Sequence, residues 1–262
     1  MEQIFLIKIG GNIIDNEESL HNFVKQLTQI DQKILIVHGG GKIASELSLK
    51  MGLEPKMIEG RRITDAETLQ LVTMVYGGLI NKKITALMQS YGLNAIGLTG
   101  ADANIIKAKK REIVNNIDYG FVGDITKVAG KDLFDLLNIG LIPVFAPLTH
   151  DGQGQILNTN ADTIASALAV GLSELVNVNL IYCFELKGVL SDFEDKNSVI
   201  NDLNYELYQD LKSKGTIAKG MIPKLDNSFE AIRAGVNKVI IGHADEIASI
   251  IKEGNIGTTL SM

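Results

Sequence analysis

Short apolar runs alternate along this chain with stretches whose apolar residues recur every three or four positions. The runs "IFLIKIGG", "KILIVHGG", "NAIGLTG", "LIPVFAPL", "VNLIYCF" and "KVIIG" predict buried strands. Between the first two, Leu20, Phe23, Val24, Leu27 and Ile30 share one helical face. The same period marks "KIASELSLKMG", "KDLFDLLNIG", "ADTIASALAVGL", "YELYQDLKSKG", "SFEAIRAGV" and "EIASIIKEG" as helices. A long helical stretch is expected from Asp65 to Tyr91, with a break near "YGG". "IIKAKKREIVNNIDYGFVGDI" predicts a β-hairpin turning through "NNID", and "HDGQGQILNTN" a glycine-rich turn.

Regular alternation of strand and helix predicts an α/β fold with a mainly parallel sheet between helix layers, a three-layer α/β/α sandwich. Ligands of such sheets sit beyond the carboxyl ends of the strands. The unusual residues cluster there: "KIGG", "HGGGK", "LTGADA" and "FELKG". No internal repeat or Pro-rich linker interrupts the chain. A lobe boundary is expected in "GLSELVN", dividing residues 1–174 from 175–262.

Composition narrows the function classes. With 25 basic and 31 acidic residues the net charge is −6 and no long basic run occurs, which argues against nucleic acid as a partner. The N-terminal "MEQIFLIKIGGN" begins with an acidic residue and its apolar run is short, so neither a signal peptide nor a membrane span is expected. A single cysteine, Cys183, excludes an internal disulfide and suits a reducing, cytoplasmic setting.

The glycines carry the first chemical signal. "GGGKIA" matches the G-x-G-x-x-A dinucleotide pattern only formally, because it lies in the second βα unit and no acidic strand end follows at the right distance. The phosphate-loop pattern G-x-x-x-x-G-K-[ST] fails, with Ile36 at its first glycine and Ile43 at its hydroxyl. A tight strand-to-helix turn accounts for the triplet as well as an anion site does. Two such turns say more. Lys8-Ile9-Gly10-Gly11 closes the first strand and His38-Gly39-Gly40-Gly41 the second. If those strands are parallel neighbours, both sets of backbone N–H groups open on one edge and suit a phosphoryl group. Lys8 falls within an apolar strand, where an ammonium needs either an anionic partner or a route to solvent.

Three further groups are open to two accounts each. Arg62, just before a helix, is a reader of carboxylates or a solvated charge. "NTNAD" (Asn158–Asp162) supplies ligands or merely caps a helix. In "GMIPK", Pro223 suits a first helical turn, and Lys224 then lies at the unfavourable, positive end of the helix dipole, beside a bound anion or simply in water.

Taken in order, "KIGGN", "VHGGGK", "GRRIT", "NTNAD" and "KGMIPK" resemble the amino acid kinase family, from about Leu6 to Leu260. The resemblance implies phosphorylation of the γ-carboxylate of an N-acylglutamate, N-acetyl-L-glutamate foremost, with ATP and Mg²⁺, in arginine biosynthesis. It implies Lys8 and Lys224 stabilising the transferred phosphoryl group, Asp162 holding both lysines, and Gly10, Gly11, Gly40 and Gly41 lining the phosphoryl group and substrate. It implies Arg62 and Asn158 on the substrate α-carboxylate, an N-terminal lobe for the acyl amino acid, and a C-terminal lobe for ATP. Glu185, Lys187, Gly188, Val189 and Leu190 match the segment bordering the nucleotide, but Phe184–Leu190 lies where relatives usually carry Thr-Asp-Val before a Gly-Val/Ile-Leu segment, and Glu185 and Lys187 depart from that pattern. Ala218-Lys219 likewise replaces a common acidic residue. N-succinylglutamate, carbamate, aspartate or UMP are alternative acceptors, with Arg61 or Lys107 as cations for a succinyl carboxylate; a non-catalytic ligand sensor is the alternative of a different class. Arginine-inhibited relatives carry an additional N-terminal helix, for which seven residues before Lys8 are too few. A homodimer without arginine inhibition is therefore expected, with Leu69, Val72, Val75, Leu79 and Ile80 as the candidate interface.

Overall fold

The computed structural model describes residues 2–58, 61–113, 115–192, 194–217 and 220–262. The first half contains β1 (Gln3–Ile9), α1 (Gly11–Asp15), α2 (Glu17–Leu27), β2 (Lys33–His38), α3 (Gly41–Lys50), the small hairpin β3 (Met57–Ile58) and β4 (Arg61–Arg62), α4 (Ala66–Val72), α5 (Asn81–Ser90) and β5 (Ala95–Leu98). There follow β6 (Ile106–Lys110), β7 (Gly123–Val128), α6 (Gly130–Asn138), β8 (Ile142–Phe145), β9 (Leu148–His150), β10 (Ile156–Asn158) and α7 (Ala161–Ser173). The chain closes with β11 (Asn177–Phe184), β12 (Asp202–Asn204), α8 (Tyr205–Ser213), α9 (Ile222–Arg233), β13 (Lys238–His243), α10 (Ile247–Glu253) and β14 (Thr258–Ser261).

Eight strands form one sheet in the order β12-β14-β13-β11-β1-β2-β8-β5. All of its pairings are parallel except β13 with β14. A four-stranded sheet, β10-β9-β6-β7, stands beside it. Strand alternation sorts the apolar residues into two cores. Phe5, Ile7, Ile9, Ile34 and Ile36 pack with α2, α4, α5 and α10. Ile4, Leu6, Leu35, Val37 and Tyr182 pack with α6, α7, α8 and α9. Helices thus cover both faces, as the strand–helix alternation predicts.

Some elements differ from expectation. The stretch Asp65–Tyr91 does not break at "YGG": Thr73–Ile80 continues as a π-helix between α4 and α5. Its wider turn, with Gly77 set against Leu148, keeps the helix continuous. Leu69, Val72, Val75 and Ile80 are buried in the chain's own core, and only Leu79 of the five expected interface residues is exposed. The hairpin through "NNID" forms as β6 and β7, with Val114 outside the described residues. The turn "HDGQGQ" joins two unanticipated strands, β9 and β10.

β1 lies at the centre of the sheet, parallel to β2 on one side and β11 on the other. The chain leaves β1 toward β2 on one side and leaves the neighbouring β11 toward β12, β13 and β14 on the other, which opens a crevice beyond their carboxyl ends.

Candidate active site

The period of β1 decides where Lys8 points. Ile4 and Leu6 face α7 and α9, and Lys8 follows them onto that face. It is 6% exposed. Two helices start there. Asn160 caps α7, accepting from the N–H groups of Asp162 and Thr163. Capping is therefore the work of Asn160, and Asp162 is left for another partner in the first turn. Lys224 occupies the first turn of α9, behind Pro223. The three charges meet: Lys8 Nζ lies 2.7 Å from Asp162 Oδ1, and Lys224 Nζ 3.4 Å from Oδ2. Burial alone would raise the Asp162 carboxyl, but Lys8 and Lys224 outweigh it and hold it below its ordinary value. Burial lowers Lys224; Asp162 opposes this and Lys8 adds to it. The array carries two positive charges against one negative, an excess suited to a dianion. Asp162 Oδ1 is buried and has no aligned hydrogen-bond donor among the described residues, despite its ion pair.

The two glycine turns lie side by side, as parallel pairing of β1 and β2 requires. The Gly39 N–H donates to Ile9 O at 3.1 Å. Gly10 caps α1, whose first residue is Gly11, and Gly40 caps α3, whose first residue is Gly41. The glycines differ in what demands them. Gly40 has φ +146°, and a Cβ there would meet Ile80 Cδ1 at 2.4 Å and Tyr76 Cδ1 at 3.2 Å. Its intolerance is internal. A Cβ on Gly41 would meet nothing within 4 Å, so nothing in the chain itself forbids a side chain.

Arg62 is buried, and its Nη2 donates to Gly41 O at 3.0 Å and Ser45 Oγ at 2.7 Å. This ties β4 to the first turn of α3. Its Nη1 is buried without a hydrogen-bond partner among the described residues, which leaves a donor for a missing acceptor. Asn158 Nδ2 donates to Thr64 Oγ1 at 2.9 Å, and Thr64 is fully buried two residues from Arg62. Arg62 and Asn158 are thereby brought together through Thr64.

The Phe184–Leu190 segment is held by packing. Val189 N–H donates to Thr258 Oγ1 at 2.8 Å, and a Cβ on Gly188 would meet that oxygen at 2.5 Å. Val189 and Leu190 are buried. Lys187 is exposed and lies 3.9 Å from Glu246. Glu185 accepts a hydrogen bond from Asn12 Nδ2, linking the segment just after β11 to the first turn of α1. Ala218 and Lys219 lie outside the described residues.

His38 is fully buried between Gly39 O (2.7 Å from Nδ1) and Asn81 Nδ2 (3.2 Å from Nε2). Burial pushes its pKa down to about 4, so it is neutral at physiological pH. Sequence patterns did not single out Asp15, Ser45, Tyr76 or Tyr182. Asp15, half-buried at the end of α1, lies 3.7 Å from Lys42, and burial raises its carboxyl. Tyr76 packs against Gly40 beside Arg62, and burial raises its phenol. None carries a motif signal: Asp15, Ser45 and Tyr76 reach the site through helix packing, and Tyr182 through the alternation of β11.

Among the described residues no three His, Cys, Asp or Glu side chains form a metal cluster, and no helix is long and apolar enough to cross a membrane.

Residues 3–243 match the profile of the amino acid kinase family. The chain is 59% identical over 261 residues to the acetylglutamate kinase of Cytophaga hutchinsonii, covering 99% of both chains. It is 52% identical to that of Bacteroides thetaiotaomicron over 259 residues, covering 99% of this chain and 98% of the relative. Among solved structures, N-acetylglutamate synthase from Neisseria gonorrhoeae superposes with a TM-score of 0.83 at 20% identity, over 99% of this chain and 59% of that one. Carbamate kinase from Giardia lamblia does so with 0.69 at 15% identity, over 99% and 98%. These two likenesses concern the fold.

Proposed function

The chain belongs to the amino acid kinase family, and from that premise we propose that it transfers the γ-phosphoryl group of ATP to the γ-carboxylate of N-acetyl-L-glutamate, an acyl-phosphate-forming step of arginine biosynthesis. The observation that carries this reading is the Lys8–Asp162–Lys224 array at the carboxyl edge of the sheet, with Lys8 buried and Asp162 and Lys224 half-buried, beside two glycine turns.

The chemistry follows from the groups present. A γ-carboxylate titrates near about 4.3 and is ionised at neutral pH, so the attacking oxygen needs no general base. The obstacle is one anion approaching another. Lys8 and Lys224 bring cations from two sides of the transferred group, and Asp162 fixes their spacing. The N–H groups of Gly10, Gly11, Gly40 and Gly41 add donors without bulk. Arg62, through Nη1, which has no hydrogen-bond partner among the described residues, and Asn158 hold the substrate α-carboxylate. Residues 1–174 take the acyl amino acid and 175–262 the nucleotide, with Glu185, Lys187, Gly188, Val189 and Leu190 at its border. Magnesium enters as part of the MgATP substrate, held by phosphate oxygens and water, and no protein ligand is assigned to it. A cytoplasmic homodimer completes the proposal; exposed Met74 and Leu79 on the π-helical segment support the contact.

N-succinyl-L-glutamate is the second acceptor to test. Arg61, next to Arg62, lines a cavity of about 330 Å³ in which Lys109 and Arg111 are already paired with Glu112 and Asp124, so Arg61 is the lining cation left for a further carboxylate among the described residues. Lys107 is not among its lining residues and lies instead against Gly152. The test is ADP release with N-acetyl- and N-succinylglutamate, aspartate, carbamate and UMP, with hydroxylamine present to trap acyl phosphate. Hydroxamate from an N-acylglutamate is expected. Turnover of carbamate or UMP alone would overturn the assignment.

A further inference from the structure

Phe184 is a residue for which the phosphoryl-transfer set has no use, yet it sits against that set. The alternation of β11 puts Tyr182 on the face covered by α7 and α9, and Phe184, two residues on, shares it. The two rings are stacked, with centroids 6.2 Å apart and planes 11° from parallel. Tyr182 is anchored: its hydroxyl pairs with Ser166 Oγ at 2.9 Å and donates to the Asp162 carbonyl oxygen at 3.3 Å. The Phe184 ring is thus a braced platform referenced to the helix turn that carries Asp162. Over it stand both ammonium groups, Lys224 Nζ at 4.1 Å from the ring centroid and Lys8 Nζ at 5.9 Å.

We propose that Phe184 is a positioning residue for phosphoryl transfer, its ring face holding the Lys224 ammonium, and through it the spacing of the Lys8–Asp162–Lys224 array. The inference rests on the phosphotransferase reading of this site. Two like charges share one carboxylate here, and they share it unequally. Lys8 is nearer to Asp162 and its side chain is 8% exposed, whereas that of Lys224 is 29% exposed and its contact is longer. Lys224 is the lysine that needs a second hold. An aromatic face attracts a cation within about 6 Å through its quadrupole. Unlike a second carboxylate, it neither cancels the charge nor occupies the three N–H donors as strong hydrogen-bond acceptors. The ammonium is held while its donors remain available to phosphoryl oxygens. An aliphatic side chain would fill the space without this attraction.

The test separates the ring's electrostatics from its volume. Phe184 is replaced in the full-length protein by 4-fluoro-, 3,5-difluoro- and 3,4,5-trifluorophenylalanine, and in separate variants by Leu and Trp. Kinase activity is measured at saturating MgATP and N-acetylglutamate. The expected result is a graded fall in kcat with fluorination, reaching about tenfold in the trifluoro and Phe184→Leu proteins, with KM for the amino acid and Tm little changed. Phe184→Trp restores activity. Wild-type kcat in the trifluoro and Leu proteins would overturn the proposal. A second readout needs no turnover. In protein labelled with ¹³Cε-lysine, the Lys224 ε-protons should resonate upfield, over the ring face, and move downfield in Phe184→Leu. An unchanged shift also overturns the proposal. A protein inactive on every acyl amino acid but showing this shift would refute the proposed function while sustaining the lysine–ring contact.

Discussion

Substituting alanine separately at Gly40 and Gly41 separates a glycine that the fold requires from one that the ligand requires. At Gly40 the backbone has φ +146°, outside the regions that L residues adopt readily, and the new methyl would overlap Ile80 Cδ1, 2.4 Å away. Ile80 and Tyr76 are core residues, 2% and 5% exposed, so the methyl cannot be relieved into solvent. Backbone strain of about 1–3 kcal/mol and overpacking of about 1–3 kcal/mol give roughly 2–6 kcal/mol together. At about 2–4 °C per kcal/mol for a chain of this size, Gly40→Ala should lower Tm by roughly 4–24 °C. At Gly41 the methyl meets nothing within 4 Å, and the residue opens a helix, where alanine is favoured over glycine. Gly41→Ala should therefore keep wild-type stability but lose activity, because its methyl occupies space meant for substrate and phosphoryl group. Thermal melts and steady-state kinetics on both variants decide. If Gly41→Ala retained wild-type kcat/KM, the glycine turn would not be where substrate binds. If Gly40→Ala melted with the wild type, the argument from φ and contact would fail.

Three further outcomes follow from the same geometry. Lys8→Ala should reduce kcat a hundred- to thousandfold, on the scale of losing one preorganised donor, with a smaller change in KM; an unchanged kcat would remove Lys8 from the mechanism. Lys224 faces Asp162, Lys8 and the Phe184 ring, and burial sets its pKa below the ordinary lysine value of 10.5; activity should fall as pH rises through that lowered value, and kcat/KM flat to pH 10.5 would contradict the requirement for its ammonium. His38 takes up a proton near 6.5 when unfolded but near 4 when folded, so the unfolded state holds more protons between those values and stability falls as pH drops through them. The loss reaches about 3 kcal/mol by pH 4, and in urea melts across this window His38→Gln should show a slope shallower by about one proton; identical slopes would refute it.

The parallel strands were legible because a strand buried on both faces is written as a continuous apolar run, and β1, β2, β11 and β13 are such runs. β12 and β14 were not read, because "DLN" and "TTLS" are short and half polar and owe their pairing to the sheet edge. The π-helical segment reads as a break because its glycine pair argues against helix locally, whereas packing against the glycine turn maintains it. Of the candidate site, Lys8 and the glycine pairs stood out as anomalies within apolar strands. Their meeting with Asp162 and Lys224 depends on two helices starting beside the same sheet edge, which the spacing of five motifs suggests and local pattern does not. Phe184 was visible only as a departure from the usual segment. Its place under two ammonium groups follows from the alternation of β11 and the approach of α9, neither of which is a sequence signal.

In the proposed reaction a phosphoryl group is transferred between the glycine turns and the Lys8–Asp162–Lys224 array. A crystal structure of the protein with MgADP, aluminium fluoride and N-acetyl-L-glutamate tests it most directly, because the planar fluoride takes the place of the transferred group. Fluorine atoms are expected within hydrogen-bond distance of both Lys8 Nζ and Lys224 Nζ and of a glycine N–H from each turn, with the α-carboxylate on Arg62. A fluoride bound away from either lysine, or an amino acid whose α-carboxylate avoids Arg62, would contradict it.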